Sequence, residues 1–470
     1  MLVSGVAAGD YDRDGWVDLY ITQGDIGKNF LYRNMGNGTF MDVAREAGVA
    51  DTLPANSLAE DTAAQSSGAT FADYDGDGWL DLLVSGISNA DTPILFRNNQ
   101  DGTFSDVTAQ AKIPTIFQTM SSSFADYDKD GDLDFLITHW TNNNQEKRLF
   151  RQNPDNTFSD VSEVAGLETS IMNDFTGNFV DINNDGWLDI LMAADFNTSQ
   201  VFLSDADGTF TNITNKDIIN DDFGMGAAVG DYDNDGDLDW FVTSIFDHTF
   251  ENQEVDGNRL YNNDGTGTFS DVTGFSRTRD GGWGWGACFA DFNNDGFLDI
   301  FQTNGYTGDH NPDFGVYIND RSRLFVNLQD GSFINQAEIR GVDGDHQGRG
   351  VVCFDYDRDG DIDILVANNR SRIRLYENRG LNSQHWLHVS LEGEGANTEA
   401  IGARIYATIN GQTQMRELRA GSNYLSQNPV IAYFGLGQAA EVDELRVVWP
   451  SGTERILHDV TADQTLLIEP

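Results

Sequence analysis

Apolar residues in this chain fall in short runs of strand length, separated by turns rich in Gly and Asp, and no helical periodicity surrounds them. The recurring order begins with a Gly- and Ala-rich segment such as SSGATFA (66–72) or GMGAAVG (224–230), followed by an Asp-rich turn. A β-branched run comes next, as in LDLLVSG (80–86), LDFLITH (133–139) and LDIFQTN (298–304). An alternating segment follows: LYRN (31–34), LFRN (95–98), LFRQ (149–152), LYNN (260–263) or LYEN (375–378). A Gly turn and a last strand close most units, as in DGTFSDVT (101–108), DNTFSDVS (155–162) and GTFSDVT (267–273). Each unit therefore predicts four antiparallel strands with the Asp-rich turn between the first two.

That turn is a nine-residue motif that occurs seven times, starting at Asp10, Asp73, Asp126, Asp181, Asp231, Asp291 and Asp355, with gaps of 63, 53, 55, 50, 60 and 64 residues. Seven such units predict an all-β fold, a seven-bladed β-propeller with Asp-rich calcium loops, followed by a small C-terminal β domain. The seventh unit lacks its last strand, and the chain starts directly at the first strand of unit one. This points to a truncated N-terminus that has lost a strand and an export signal. The alternative is that HWLHVSL (385–391) fills the gap.

The motif has the composition of a calcium loop. Calcium takes six to eight oxygen ligands in uneven geometry, which clustered carboxylates on a tight turn supply. Positions 1, 3, 5 and 9 are the expected side-chain ligands, and position 7 is expected to offer its carbonyl. These are Asp10, Asp12, Asp14, Trp16 and Asp18; Asp73, Asp75, Asp77, Trp79 and Asp81; and Asp126, Asp128, Asp130, Asp132 and Asp134. The fourth and fifth sets are Asp181, Asn183, Asp185, Trp187 and Asp189, then Asp231, Asp233, Asp235, Asp237 and Asp239. The last two are Asp291, Asn293, Asp295, Phe297 and Asp299, then Asp355, Asp357, Asp359, Asp361 and Asp363. Position 6 is always Gly, which permits the sharp reversal. An EF-hand closes with Glu at position 12 between helices, whereas this loop closes at position 9 and runs into a strand. With no Cys or His inside the loops, zinc and copper fit poorly. Four unpaired carboxylates on one turn repel one another, so ion binding is expected to be coupled to folding, with about seven Ca2+ acting as structural ions.

The charge balance agrees. Lys and Arg number 28 against 76 Asp and Glu, a formal net charge of −48, which seven divalent ions would reduce to −34. Nucleic acid and anionic membrane surfaces are excluded as partners, because little here would neutralise phosphates. No apolar run approaches the length of a membrane span. The two cysteines, Cys288 and Cys353, lie three and two residues ahead of their Asp loops. Strand alternation points them to opposite faces, which favours two buried thiols over a disulfide.

On these loops the chain resembles the FG-GAP and VCBS repeats of integrin-like propellers, over residues 1 to about 380. The tail resembles the ASPIC/UnbV family in NSQHWLHVSLEG (382–393), AIGARI (400–405), GSNYLSQ (421–427), YFGLG (433–437), VDELRVVWPSG (442–452) and LLIE (466–469). The combination is similar to the bacterial relatives of cartilage acidic protein, which implies an exported, calcium-binding protein of mostly unassigned role. The domain division expected is 1–380 for the propeller and 381–470 for the tail. Alternation in the tail predicts strands at 386–391, 403–409, 414–419, 430–434, 444–449 and 465–469. Tyr424, Ser426 and Gln427 read as packing residues rather than a polar site. No Arg-Gly-Asp tripeptide occurs.

The remaining connections are expected at the end opposite the calcium loops, and they are long and unusual. They hold His139, Trp140, Asp195, Asp247, His248, Trp283, Trp285, Tyr306, His310, His346 and Arg349. Loops on one end of a rigid scaffold are where ligand sites form, and these residues are the candidates for one. The bland alternative is loop decoration with His and Trp serving local packing. No nucleophile elbow, phosphate loop or zinc signature supports catalysis. The reading is therefore a secreted or periplasmic binding or adhesion module whose partner is a protein, glycan or small molecule. The alternative is an enzyme with its active site on this opposite face.

Overall fold

The computed structural model describes residues 4–24, 27–51, 65–87, 93–141, 148–167, 172–247, 255–306, 312–380 and 383–470. Its architecture is all-β and propeller-like, and the helices among the described residues are short, such as Ala44–Ala47, Pro312–Tyr317 and Ala337–Arg340. Sheet 1 runs Val6–Gly9, Asp18–Ile21, Phe30–Asn34 and Phe40–Asp42. Sheet 2 repeats the order with Ser66–Ala72, Asp81–Gly86, Ile94–Asn98 and Phe104–Asp106. The same meander forms sheet 3 (Thr119–Ala125 to Thr157–Asp160), sheet 4 (Met172–Val180 to Phe210–Asn212), sheet 5 (Ala227–Gly230 to Phe269–Asp271) and sheet 6 (Gly284–Ala290 to Phe333–Asn335). Sheets 3 and 4 are joined where Trp140 and Thr141 pair with Asn173 and Met172. Sheet 7 has three strands among the described residues: Gly348–Phe354, Asp363–Asn368 and Arg374–Tyr376.

Each sheet packs on the next through both faces, which is why the first two strands are apolar at successive positions rather than alternating. Ala7 and Leu31 meet Phe71 and Leu82 between sheets 1 and 2, while Val229 and Trp240 meet Val180 and Leu191 between sheets 5 and 4. Val6, Leu19 and Ile21 of sheet 1 meet Val352, Phe354 and Leu365 of sheet 7, so the last sheet also packs on the first. The first strands crowd together, and their Gly content follows from that: a Cβ on Gly226 would collide with the Trp285 carbonyl, and one on Gly286 with that of Arg349.

Cys288 and Cys353 form a disulfide across the seam between sheets 6 and 7, with Cα atoms 6.6 Å apart. The two free thiols expected from the sequence are thereby corrected. They do sit on opposite faces of their own sheets, but neighbouring sheets meet by opposite faces, and both sulfurs enter one seam with Phe301, Val351 and Ile364.

His385–Leu391 pairs with Ala432–Gly437 and Gln464–Ile468, and so does not supply a fourth strand to sheet 7. A second sheet orders Gln412–Glu417, Arg404–Ile409, Glu441–Val448 and Glu454–Thr461, the last of which the sequence pattern missed. The two sheets share a core of Leu387, Ile405, Phe434, Leu445 and Trp449.

Between these strands, residues 419–427 run down the axis where all seven first strands converge. Arg419 Nη2 donates to the Val229 carbonyl (2.6 Å), and the Phe124 amide donates to the Ala420 carbonyl (2.8 Å). Asn178 Nδ2 donates to the Gly421 carbonyl (3.2 Å) and Asn423 Nδ2 to the Val351 carbonyl (3.0 Å). Tyr424 meets Trp285 at 5.3 Å, Gln427 pairs with both backbone groups of Phe71, and Ser426–Gln427 lies parallel to Val6–Ala7. Tyr424, Ser426 and Gln427 are all buried, in packing roles.

Candidate metal centres and the opposite loop face

Every Asp-rich turn folds in the same way because its own carboxylates hold it. The position 1 carboxylate accepts the amide of the position 6 glycine in all seven, as in Gly15 to Asp10 (2.8 Å) and Gly78 to Asp73 (2.7 Å). The position 5 carboxylate accepts the amide of position 7, as in Trp16 to Asp14 (3.0 Å). The position 9 carboxylate accepts the amide that ends the third strand, as in Asn98 to Asp81 (2.7 Å) and Asn263 to Asp239 (2.9 Å). Each loop is thus closed at both ends by charge-assisted hydrogen bonds.

The same folding concentrates negative charge. Carboxylate oxygens lie within 4.8 Å of one another in Asp10, Asp12 and Asp18; Asp73, Asp75 and Asp81; Asp126, Asp128 and Asp134; Asp231, Asp233 and Asp239; and Asp355, Asp357 and Asp359. Loops 4 and 6 have Asn183 and Asn293 at position 3, where an amide oxygen replaces a carboxylate. Burial first, and then the neighbouring carboxylates, push Asp18, Asp81 and Asp363 up to about 9. Asp134, Asp239 and Asp299 are held well above the carboxylate range for the same reasons. Several buried oxygens have no hydrogen-bond donor: Asp18 Oδ2, Asp75 Oδ1, Asp126 Oδ1, Asp128 Oδ1, Asp233 Oδ1 and Asp357 Oδ1. Orphaned oxygens in an all-oxygen donor set fit a hard divalent cation of the calcium type. In loop 1 an arginine partly compensates, with Arg33 Nε 2.6 Å from Asp12 and Nη2 3.1 Å from Asp14.

Two features of the loops escaped the sequence reading. The Asn or Gln ending the third strand reaches back to the position 2 carbonyl of the preceding loop, as in Asn98 to Tyr11 (2.9 Å), Asn327 to Tyr232 (2.9 Å) and, from sheet 1 to sheet 7, Asn34 to Tyr356 (2.9 Å). The recurring Asn of LYRN, LFRN, LYNN and LYEN was the available signal. Position 4, in the left-handed region, reaches position 7 of the next loop in five of the seven: Arg358 stacks on Trp16 at 4.1 Å, Arg13 on Trp79 at 5.6 Å and Lys129 on Trp187 at 4.5 Å, while Asn184 Nδ2 donates to Asp237 (2.7 Å) and Asn294 Nδ2 to Asp361 (3.0 Å). The varied position 7 side chains therefore carry loop-to-loop contacts.

The C-terminal part lies on this same end. Thr398 Oγ1 donates to Asp73 (2.6 Å), Arg404 pairs with Asp181 (3.4 Å), and buried His388 stands 3.6 Å from Asp355.

At the opposite end the candidates form a packed aromatic layer. Trp283 stacks on Tyr306 at 4.6 Å and meets Tyr317 edge-on; Trp285 packs against Tyr424 and beneath the guanidinium of Arg349 at 4.1 Å. Arg349 is fully buried, donates to the Gly305 and Gly348 carbonyls, and leaves Nε and Nη2 without a partner. Asp247 accepts the Tyr317 hydroxyl (2.8 Å), and buried His139 pairs through Nδ1 with the Phe117 carbonyl (3.1 Å). Trp140 is 39% exposed, stacks on Phe175 and donates to Asp195 (3.2 Å). His346 sits apart, against Asp345 and Arg374. His248 and His310 lie outside the described residues. A buried ion pair, Arg148 with Asp174 at 2.5 Å, also lies at this end and had no sequence signal.

Residues 393–470 match the family described as ASPIC and UnbV. Four segments, 10–84, 73–137, 181–242 and 250–301, match the FG-GAP-like repeat. Cartilage acidic protein 1 of Xenopus tropicalis is 25% identical over 479 residues, covering 95% of this chain and 70% of that protein. The human protein of the same name is 24% identical over 498 residues, covering 95% and 69%. Among solved structures, an Agrocybe aegerita lectin that recognises non-reducing terminal N-acetylglucosamine aligns over 80% of this chain and 94% of its own, with 17% identity and a TM-score of 0.44. An exotype rhamnogalacturonan lyase aligns over 99% and 90%, with 12% identity and a TM-score of 0.37.

Proposed function

We propose that this chain, which belongs to the FG-GAP-like repeat family and ends in an ASPIC/UnbV domain, is a calcium-loaded, seven-bladed β-propeller that serves as a binding or adhesion module. The observation that carries the reading is the set of clustered loop carboxylates whose buried oxygens lack donors. About seven Ca2+, one per loop, would satisfy those oxygens and offset the burial and the repulsion that raise the position 9 carboxyls. The ions are then structural, and ligand recognition falls to the other end, because residues 381–470 cover the calcium end through Thr398, Arg404 and His388. Exposed Trp140 is the aromatic best placed there for a protein, glycan or small-molecule partner.

A secreted or periplasmic location fits both the Cys288–Cys353 disulfide and loops that millimolar calcium would saturate. No helix among the described residues is long and apolar enough to cross a membrane. Calcium stoichiometry by calorimetry, with thermal melts in calcium and in chelator, tests the reading. About seven ions and a large loss of stability in chelator are expected. Few ions, or a melt indifferent to chelator, would refute it.

A further inference from the structure

Four arginines are buried among the described residues, and three of them face carboxylates. Arg148 pairs with Asp174 (2.5 Å), Arg259 with Asp256 (2.9 Å) and Arg404 with Glu417 (3.1 Å). The fourth, Arg349, is 0% exposed and pairs with no carboxylate among the described residues. Burial brings its guanidinium down only to about 10, so it stays charged at neutral pH. The Trp285 ring beneath it at 4.1 Å offsets part of the cost of taking that charge out of water. A buried cation without a counter-charge costs more than one ring returns.

The surroundings of Arg349 fix how that charge is presented. Arg349 lies in the first strand of sheet 7, and Trp285 holds the matching place in sheet 6, each six residues ahead of its Asp loop. The Gly305 carbonyl accepts both Trp285 Nε1 (2.7 Å) and Arg349 Nη1 (3.2 Å), and Nη1 also donates to the Gly348 carbonyl (2.7 Å). Nη1 is thereby engaged and one face is covered by the indole, which leaves Nε and Nη2 as the donors without an acceptor. These two nitrogens form one edge of the guanidinium, and their N–H bonds run side by side. Arginine uses this fork to hold an anion in two parallel hydrogen bonds. Trp285 and Tyr424 belong to an apolar layer with Met120, Phe175 and Leu425, which closes this end of the axis to bulk water.

We propose that the Nε–Nη2 fork of Arg349 holds a buried chloride ion beside the axis, a structural anion at the end opposite the Asp loops. The occupant is small because the side chains around it are packed, and monovalent because it balances one guanidinium. It is an ion because a water molecule would leave that charge uncompensated. A chain of net charge −48 repels free anions, so a site that retains one needs a buried cation with its donors already aimed. The chloride then joins sheet 7 to sheet 6 and to the axial segment, through Arg349, Trp285 and Tyr424. The proposal stands on the geometry of Arg349 and not on the metal reading.

Crystals of the full chain grown in sodium chloride and calcium provide the test, with diffraction recorded at long wavelength. There chlorine scatters anomalously much as the sulfurs of Cys288 and Cys353 do, and those sulfurs calibrate the signal. An anomalous peak within hydrogen-bond reach of both Nε and Nη2 is expected. Density at the fork without anomalous signal, which is a water or an oxyanion, would overturn the proposal, and so would no density. Thermal melts at constant calcium and ionic strength, with chloride replaced by the larger methanesulfonate, give a second reading. The melting temperature of the parent should fall by about 2 °C or more, and that of Arg349→Met should not move. An equal response of parent and variant would mean an adventitious ion only and would also overturn the proposal. The diffraction test uses the parent protein, so it decides whether or not the variant folds.

Discussion

Replacing Asp81 by Asn changes one oxygen for an amide nitrogen and should have opposite effects with and without calcium. Asp81 is 1% exposed, and burial with the charges of Asp73, Asp75 and Asp77 pushes its carboxyl up to about 9. A folded value above the ordinary 3.8 means that the fold favours the protonated form. Its stabilising contribution is complete below about pH 4 and lost as pH rises through the folded value. At pH 7 the metal-free fold therefore bears a penalty of up to about 4 kcal/mol at this position, taking about 1.4 kcal/mol per unit. Asp81→Asn keeps an acceptor for the Asn98 amide and removes that penalty, so the metal-free variant should be more stable than the parent. In saturating calcium the order should reverse. The parent gains linkage energy at this loop, about 2.7 kcal/mol when free calcium is a hundred times the dissociation constant, and the variant loses most of it. Denaturant melts of both proteins in calcium and in chelator, with ion counting, provide the assay. Equal shifts in the two conditions, or an unchanged ion count, would show that Asp81 holds no cation.

Other consequences are independent of metal. Asn98→Ala leaves the Tyr11 and Leu80 carbonyls without their donor and should lower stability by about 2–3 kcal/mol in calcium and chelator alike, as read in denaturant melts. Reducing the disulfide, or Cys288→Ser with Cys353→Ser, opens a closure of 65 residues and should destabilise by about 4 kcal/mol in a melt at fixed calcium. Asp221 is fully buried and pushed up to about 6 by burial, so its contribution is complete below the ordinary 3.8 and is lost as pH rises through about 6. The stability of Asp221→Asn relative to the parent should rise by up to about 3 kcal/mol from pH 4 to pH 7.

Strand order, the seven turns and the short seventh unit were legible because each repeats a local pattern whose physics is local: Gly for reversal, alternation for a strand, Asp for a turn. What depended on neighbouring units was not legible. Alternation placed Cys288 and Cys353 on opposite faces, which is true within each sheet and misleading between sheets that meet by opposite faces. For Trp283 and Trp285 both packing and ligand stacking were open, and their contacts with Tyr306, Tyr317 and Tyr424 come from residues far away in the sequence. The reach of Asn34 to Tyr356 spans 322 residues, beyond any window of sequence. Glu454–Thr461 was missed because its residues are mostly exposed and its polar positions do not alternate cleanly.

The passage of residues 419–427 along the axis has a consequence for biosynthesis. Seven first strands, buried and built largely of small residues, are synthesised before the residues that join them at the centre, and the last of those contacts waits for Gln427. An emerging chain can complete individual sheets in turn, but their inner edges stay exposed to water and to other nascent chains until residues 419–427 have been made. Premature termination anywhere before this segment yields a molecule that still carries its Asp loops and still lacks its axle. Such products should bind calcium and aggregate.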